Sequence, residues 1–224
     1  SIPPEQLLRA LLVQILFTIR SERQLVEQLD YNLLFRWFVG LGMDDAVWDR
    51  TVFSINRDRL LGTDVARQFF RRVLHLAEWQ GFVSDEHFSV DGTMIEAWAS
   101  HKSLRRKDGS DEGRPPEDWR GEPRSNDTHA STTDPESQLY RKSDAAPALP
   151  SYLGHVLSDN RHGLVVNVQA STADGTAERS VAAQMLADVA APGKRVTVGA
   201  DKAYDTKGFV KACRQINVTP HVAQ

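Results

Sequence analysis

The sequence predicts an α+β protein: an all-helical N-terminal domain over residues 1–85, then a mixed α/β domain over 86–224 with a long polar insertion at 101–150. Three observations predict it. The first 85 residues place Leu and Phe at helical spacing. Residues 101–150 hold six of the ten prolines and only nine apolar residues. After residue 150 short strand-like runs alternate with helical ones. The chain has 224 residues, 41% hydrophobic and 25% charged, with a net charge of −3. This is globular composition and enough chain to bury a core. The net charge excludes a uniformly basic nucleic-acid binder, so any DNA contact must come from local patches. A single cysteine excludes an internal disulfide framework and a Cys-based zinc site. No apolar run is long enough to span a membrane, and no signal peptide is evident, which points to the cytoplasm. The chain opens on Ser1 rather than Met, as expected of a chain lacking its natural start.

In the first domain, Leu7, Leu8, Leu11, Leu12, Ile15, Leu16 and Ile19 form one wide apolar stripe. Pro3 and Pro4 suit its first turn, where a missing N–H costs little. Ser21 with Gln24 reads as a capping box for the next helix, which turns Leu25, Val26 and Leu29 inward. Tyr31 to Phe38 is a dense aromatic and leucine cluster closed by Gly40 and Gly42. Thr51 and Thr63 are candidate N-caps of two more helices. The last helix places Val65, Ala66, Phe69, Phe70, Val73, Leu74 and Ala77 on one face. About five helices result. A helix-turn-helix DNA reader is one possibility for such a bundle. Its 10 basic and 11 acidic residues favour no particular partner.

In the second domain the period changes. His87 to Val90 is a short strand ending at Asp91, and Thr93 to Ala99 a second one beyond Gly92. The stretch 101–150 carries 9 basic and 10 acidic groups. It cannot bury enough apolar surface to offset its ordering entropy, so most of it is expected to be extended or disordered. Tyr152 to Leu157 and Leu164 to Ala170 read as a hairpin across SDNRHG. Thr176 to Ala190 is a helix, Arg195 to Gly199 a strand, and Thr206 to Gln215 a helix with Phe209, Val210 and Cys213 inward. A mixed sheet flanked by helices fits this order.

Two aspartates end two of these strands: Asp91 in EHFSVDGT and Asp201 in RVTVGAD. Mg²⁺ takes oxygen ligands, commonly one or two carboxylates with waters and phosphate oxygens. Two such ions ~3.5–4 Å apart can activate the attacking oxygen and stabilise the leaving one of an in-line phosphoryl displacement. Carboxylates on adjacent strands could hold that spacing. Equally, Asp is common at strand ends as a turn residue. Asp205 is a rival ligand but reads better as a helix N-terminal group.

SVDGTMIEAWASHKS, STTDPESQLYRKS and GADKAYD resemble the recurring blocks of bacterial insertion-sequence transposases with a DDE active site, in the branch named after insertion sequence five. The N-terminal stretch up to Leu41 resembles the helical domain that precedes the catalytic domain there. The resemblance covers nearly the whole chain. It implies an RNase-H-like catalytic domain with Asp91 on the first strand and Asp201 just after the fourth. It also implies a two-metal Mg²⁺ site (Mn²⁺ as substitute), DNA as partner, and a homo-oligomer. The implied reaction is cleavage at the element's ends followed by strand transfer to target DNA. The family's third acid is a Glu on a later helix, yet no Glu follows Asp201, and the last one in the sequence is Glu178. The expectation is a copy truncated before that acid. A catalytically inactive DNA-binding or self-associating remnant and a metal-dependent nuclease are the alternatives. Glu96 and Glu178 lack the family's position and are expected at the exposed surface.

Lys102, Arg105, Arg106 and Lys107 form the one dense basic run and, with Lys202, are the candidate DNA-backbone contacts. Asp108, Asp111 and Glu112 dilute that run. The Asp134 block has no evident physical role beyond a turn. No phosphate-cradling glycine motif of an ATP or dinucleotide site is present.

Overall fold

Proline starts the first helix, as its missing N–H dictates. In a computed structural model of the protein, α1 spans Pro4–Leu16 with Pro3 at its N-cap. The structure describes residues 2–62, 64–110, 123–143, 145–190 and 193–223, apart from the side chains of Leu60 and Leu61. Helix α2, Glu22–Tyr31, is capped by Ser21, whose hydroxyl accepts from Gln24 N at 3.2 Å. Helix α3, Leu33–Val39, is capped by Asn32 and closed by Gly40 in the left-handed region (φ +89°), where a side chain would be strained. Helix α4, Arg50–Leu61, takes Asp49 as its cap; Thr51 donates to that carboxylate instead of capping the helix itself. Asp49 has the extended backbone that an N-cap needs, and by accepting Thr51 N it places Thr51 inside the first turn. Helix α5 spans Val65–Trp79. Thr63, the other expected cap, lies outside the described residues.

Leu7, Ala10, Val13, Leu25, Leu29, Phe35, Val39, Trp48 and Phe53 form the helical core. The stripe actually buried on α1 is therefore narrower than expected. Ile15 and Leu16 stay exposed, and Ile19 falls beyond the helix end. Leu33, Leu34 and Trp37 are exposed as well. On α5 none of the described side chains is buried, although its apolar residues share one face. The chain divides into two compact units between Leu76 and Ala77, inside α5.

The second unit is built on one sheet. Strand β1 runs unbroken over His87–Glu96; the expected break at Gly92 is absent because Gly92 pairs with His155 like its neighbours. The polar stretch 101–150 was expected to be mostly extended or disordered. Its described residues instead include strands β2 (Leu104–Arg106), β3 (His129–Ser131) and β4 (Gln138–Tyr140), and the first two residues of β5 (Leu149–Asp159). Backbone pairing supplies what composition lacks: β2 joins β3, and β4 joins the edge of β5. Strand β6 is Val165–Thr172, helix α6 Ala177–Val189, β7 Val196–Ala200, α7 Lys207–Gln215 and β8 Val218–Val222. The main order is β6–β5–β1–β7–β8, antiparallel from β6 to β1 and parallel from β1 to β8.

Each helix lies where a connection must return. Helix α6 links β6 to the parallel strand β7, and α7 links β7 to β8, as parallel neighbours require. Ala182, Met185 and Leu186 of α6 and Phe209 and Cys213 of α7 are buried, as are Phe88, Val90, Leu153, Leu157, Val196 and Val198 of the sheet. Among the described residues no helix is long and apolar enough to cross a membrane.

Candidate active site

Asp91 lies inside β1 rather than at its end, and Asp201 just beyond β7; the two are brought level because β1 and β7 are parallel neighbours in a fixed register. The ladder pairs Phe88 with Val198 and Ser89 with Gly199, then ends. Side chains alternate with period two, so Asp91 and Asp201 stand two residues beyond the last pair on matching sides of their strands. Both are exposed. Asp91 Oδ1 accepts from Gly92 N at 2.8 Å, and Asp201 Oδ1 from Ala203 N at 3.0 Å. These bonds fix each carboxylate's direction and leave each Oδ2 without a hydrogen bond among the described residues.

A third acid feels the charges of both. Glu178 lies in the first turn of α6 and is partly buried. Burial pushes its carboxyl upward, the charge of Asp201 and more weakly that of Asp91 add to this, and Arg179 opposes it. The expectation of an exposed surface Glu178 is thus corrected: α6 packs along β5 and β6 and brings its first turn to β1. Glu96, at the far end of β1, is exposed as expected. Asp205 precedes Thr206, whose hydroxyl caps α7 by accepting from Phe209 N at 3.3 Å.

Tyr204 is a buried neighbour of these acids. It stands in the short 3-10 turn Lys202–Tyr204 that Asp201 caps. Its ring packs on Phe209, with centroids 5.2 Å apart. It is 1% exposed, and among the described residues its hydroxyl has no hydrogen-bond partner. Burial drives the phenol well above its usual range, reinforced by the charges of Glu178, Asp201 and Asp91. From the sequence, Tyr204 reads with Lys202 as a DNA-backbone contact or a packing residue beside Asp201, and Glu178 carries little weight. Neither signal is local, since both depend on which elements the sheet brings together. Among the described residues, no three His, Cys, Asp or Glu side chains are gathered tightly enough to hold a metal ion as they stand.

The basic candidates are scattered. Lys102 lies in the 3-10 turn His101–Ser103, and Arg105 and Arg106 lie on β2. Arg106 pairs with Asp108 at 3.4 Å, and Lys107 Nζ donates to Asn126 O at 2.7 Å. Lys202 is exposed beside Asp201. The Asp134 block now has a physical role. Tyr152 on β5 donates to Asp134 Oδ1 at 2.6 Å and ties the turn before β4 to the sheet.

A six-stranded mixed sheet, an Asp inside its first strand and another just beyond β7, and a preceding helical unit define the architecture of a DDE transposase. Residues 84–224 match the transposase DDE domain family, and residues 1–59 match the transposase domain family DUF772. The first match covers more than half of the chain, and the chain belongs to the DDE transposase family. No curated protein matches it. Among solved structures it is similar to the Mos1 transposase paired-end complex with left transposon end (12% identity, 98% of this chain and 60% of that one, TM-score 0.30). A pre-cleavage Mos1 transpososome shows the same 12% identity, with 98% and 60% coverage and a TM-score of 0.29. A third is the simian T-cell lymphotropic virus intasome in complex with PP2A regulatory subunit B56 gamma (12%, 63% and 32%, 0.32). The chain spans 60% of the Mos1 chain in each of those two complexes.

Proposed function

We propose that the chain carries the catalytic core for Mg²⁺-dependent cleavage and strand transfer at insertion-sequence ends, acting on DNA as a homo-oligomer in the cytoplasm. The observation that carries this reading is the juxtaposition of Asp91 and Asp201 at the end of the β1–β7 ladder. The donor set fits a hard cation. It consists of carboxylate oxygens, each with one oxygen oriented by a backbone N–H and one free. The orphaned Tyr204 hydroxyl fits the same picture, since a buried donor needs an oxygen partner. Asp91 and Asp201 would hold the ion. Bound Mg²⁺ (or Mn²⁺) supplies Lewis-acid stabilisation of the attacking and leaving oxygens in phosphoryl transfer. The rigid sheet keeps both carboxylates in place, and their bonds to Gly92 N and Ala203 N stop them turning away. Lys202, next to Asp201, is set to meet the DNA backbone, with Lys102, Arg105, Arg106 and Lys107 as further phosphate contacts.

The experiment is a cleavage and strand-transfer assay with Mg²⁺, using duplex DNA that bears the element's own ends against a scrambled duplex. Active chain should cut and join the end DNA. Asp91→Asn should lower cleavage by more than about a hundredfold, beyond what outer-sphere partners of a metal site cost, while retaining DNA binding. Equal cutting of both duplexes would instead indicate a nuclease. DNA binding without any cleavage would indicate an inactive remnant.

A further inference from the structure

Helix α7 has two unlike sides. Phe209 and Cys213 are buried, whereas Lys207, Lys211 and Arg214 are all exposed. The three cations stand at i, i+4 and i+7, which is one stripe of an α-helix. Seven steps of ~1.5 Å make that stripe about 10 Å long. With Val210 and Gln215 the three line an open depression of about 450 Å³.

The stripe is not neutralised by the chain. No Asp or Glu follows Asp205, so Lys207, Lys211 and Arg214 against no acid give residues 206–224 a charge of +3, in a chain of net −3. Elsewhere surface cations are paired: Arg9 with Glu5, Arg23 with Glu27, Arg57 with Glu22 and Lys194 with Asp85. Among the described residues Lys207, Lys211 and Arg214 have no such partner. The helix itself does not favour the arrangement either. Lys207 is the first residue of α7, where the helix dipole disfavours a cation, and the first turn holds no acid. Lys207 and Lys211 are like charges at i and i+4, which destabilises a helix. Local helix stability therefore does not account for the stripe, and an external polyanion does.

Its place in the chain points to the polyanion. The turn Lys202–Tyr204, capped by Asp201, leads into α7, and Lys202 in that turn is exposed. The basic positions 202, 207, 211 and 214 thus lead away from Asp201 along one short stretch of chain. A stripe of about 10 Å matches about three successive phosphates of one DNA strand, at ~3.4 Å of helix axis each.

We propose that the Lys207, Lys211 and Arg214 face of α7 is a docking surface for the phosphate backbone of duplex DNA beside the bond to be cut. This rests on the reading that the chain acts on DNA. Recognition is by charge, through ammonium and guanidinium contacts to phosphate oxygens, and carries no base preference.

The test is fluorescence anisotropy of a labelled duplex with the full chain over a series of salt concentrations. EDTA prevents cutting, and circular dichroism confirms folding. Lys207→Gln, Lys211→Gln and Arg214→Gln should each flatten the slope of log affinity against log salt by about 1, and the triple variant by about 3. The losses should be equal on end-bearing and scrambled duplexes. Lys211→Glu, a charge reversal at an exposed position, serves should the triple variant fail to fold. Lys194→Gln removes a cation paired with Asp85 and should keep the wild-type slope. Flattening as large in that variant would reduce the effect to net charge and overturn the proposal. An unchanged slope in the triple variant, with wild-type chain still bound to duplex, would overturn the role of α7 and leave the two-aspartate reading standing. Wild-type chain that binds no duplex would overturn both, and capture of polyglutamate in its place would identify an acidic protein partner.

Discussion

Asp159 offers the most direct test of how this sheet is anchored. It ends β5 opposite Phe88, and its side chain is fully buried. One oxygen accepts from Ser84 N at 3.1 Å and from the Ser84 hydroxyl; the other accepts from His162 N at 2.9 Å. The carboxylate therefore ties the entry to β1 to the turn between β5 and β6. Hydrogen bonds to a charged group contribute about 1.5–3 kcal/mol each, and two or more of them are lost together here. Asp159→Ala should thus destabilise the second unit by about 3–5 kcal/mol, because the Ser84 and His162 N–H groups lose their acceptor. Asp159→Asn keeps one acceptor oxygen and should cost roughly half as much. Burial alone would raise the carboxyl, but the bonds from Ser84 and His162, with the nearby His162 charge, outweigh it and hold it below 3.8. The lowered folded value means that this stabilisation is complete above the unfolded value of 3.8 and is lost as pH falls through the folded one. Urea unfolding followed by circular dichroism, at neutral pH and on descending into acid, measures both effects. A loss under about 1 kcal/mol in Asp159→Ala would refute the reasoning, since even one charged hydrogen bond exceeds it. An acid limb as steep in Asp159→Ala as in wild type would refute the linkage.

Two further outcomes are expected. The Tyr152 phenol, bonded to Asp134 and partly desolvated, is pushed up to about 12. The folded state keeps this proton longer, so its contribution is present below pH 10 and is lost as pH rises toward 12. Asp134→Asn should lower the phenol's titration in an ultraviolet absorbance series and cost about 1 kcal/mol; an unshifted titration would show that the bond does not form. Cys213 is fully buried, and burial pushes its thiol up to about 11. A disulfide reagent at neutral pH should therefore label it only at the rate of unfolding, whereas rapid stoichiometric labelling of native chain would contradict the packing of α7.

Helix starts and strand ends were legible in the sequence wherever the deciding interaction is local. The Ser21 cap, the first turn at Pro4, the hairpin of β5 and β6, and the inward Phe209 and Cys213 depend on neighbours a few residues away. Thr51 misled because Asp49, two residues earlier, caps the helix by accepting the N–H of Thr51 itself. The strands inside 101–150 were illegible because they borrow partners at a distance: β2 from residues 129–131, and β4 from residues 149–151. Composition measures what a segment can bury by itself, and edge pairing adds hydrogen bonds that composition does not count.

The chain's own residues, read singly, determine that Asp91 lies on a strand and that Asp201 ends another, because a period of two and a following turn are properties of short segments; the strand end expected at Asp91 is absent. Whether those carboxylates become neighbours was decided by the tertiary structure, through the parallel register that pairs Ser89 with Gly199. The same holds for Glu178 and Tyr204. A helix packed over the sheet carries one to Gly92, and a turn after β7 buries the other, and such meetings arise from packing across long sequence separations.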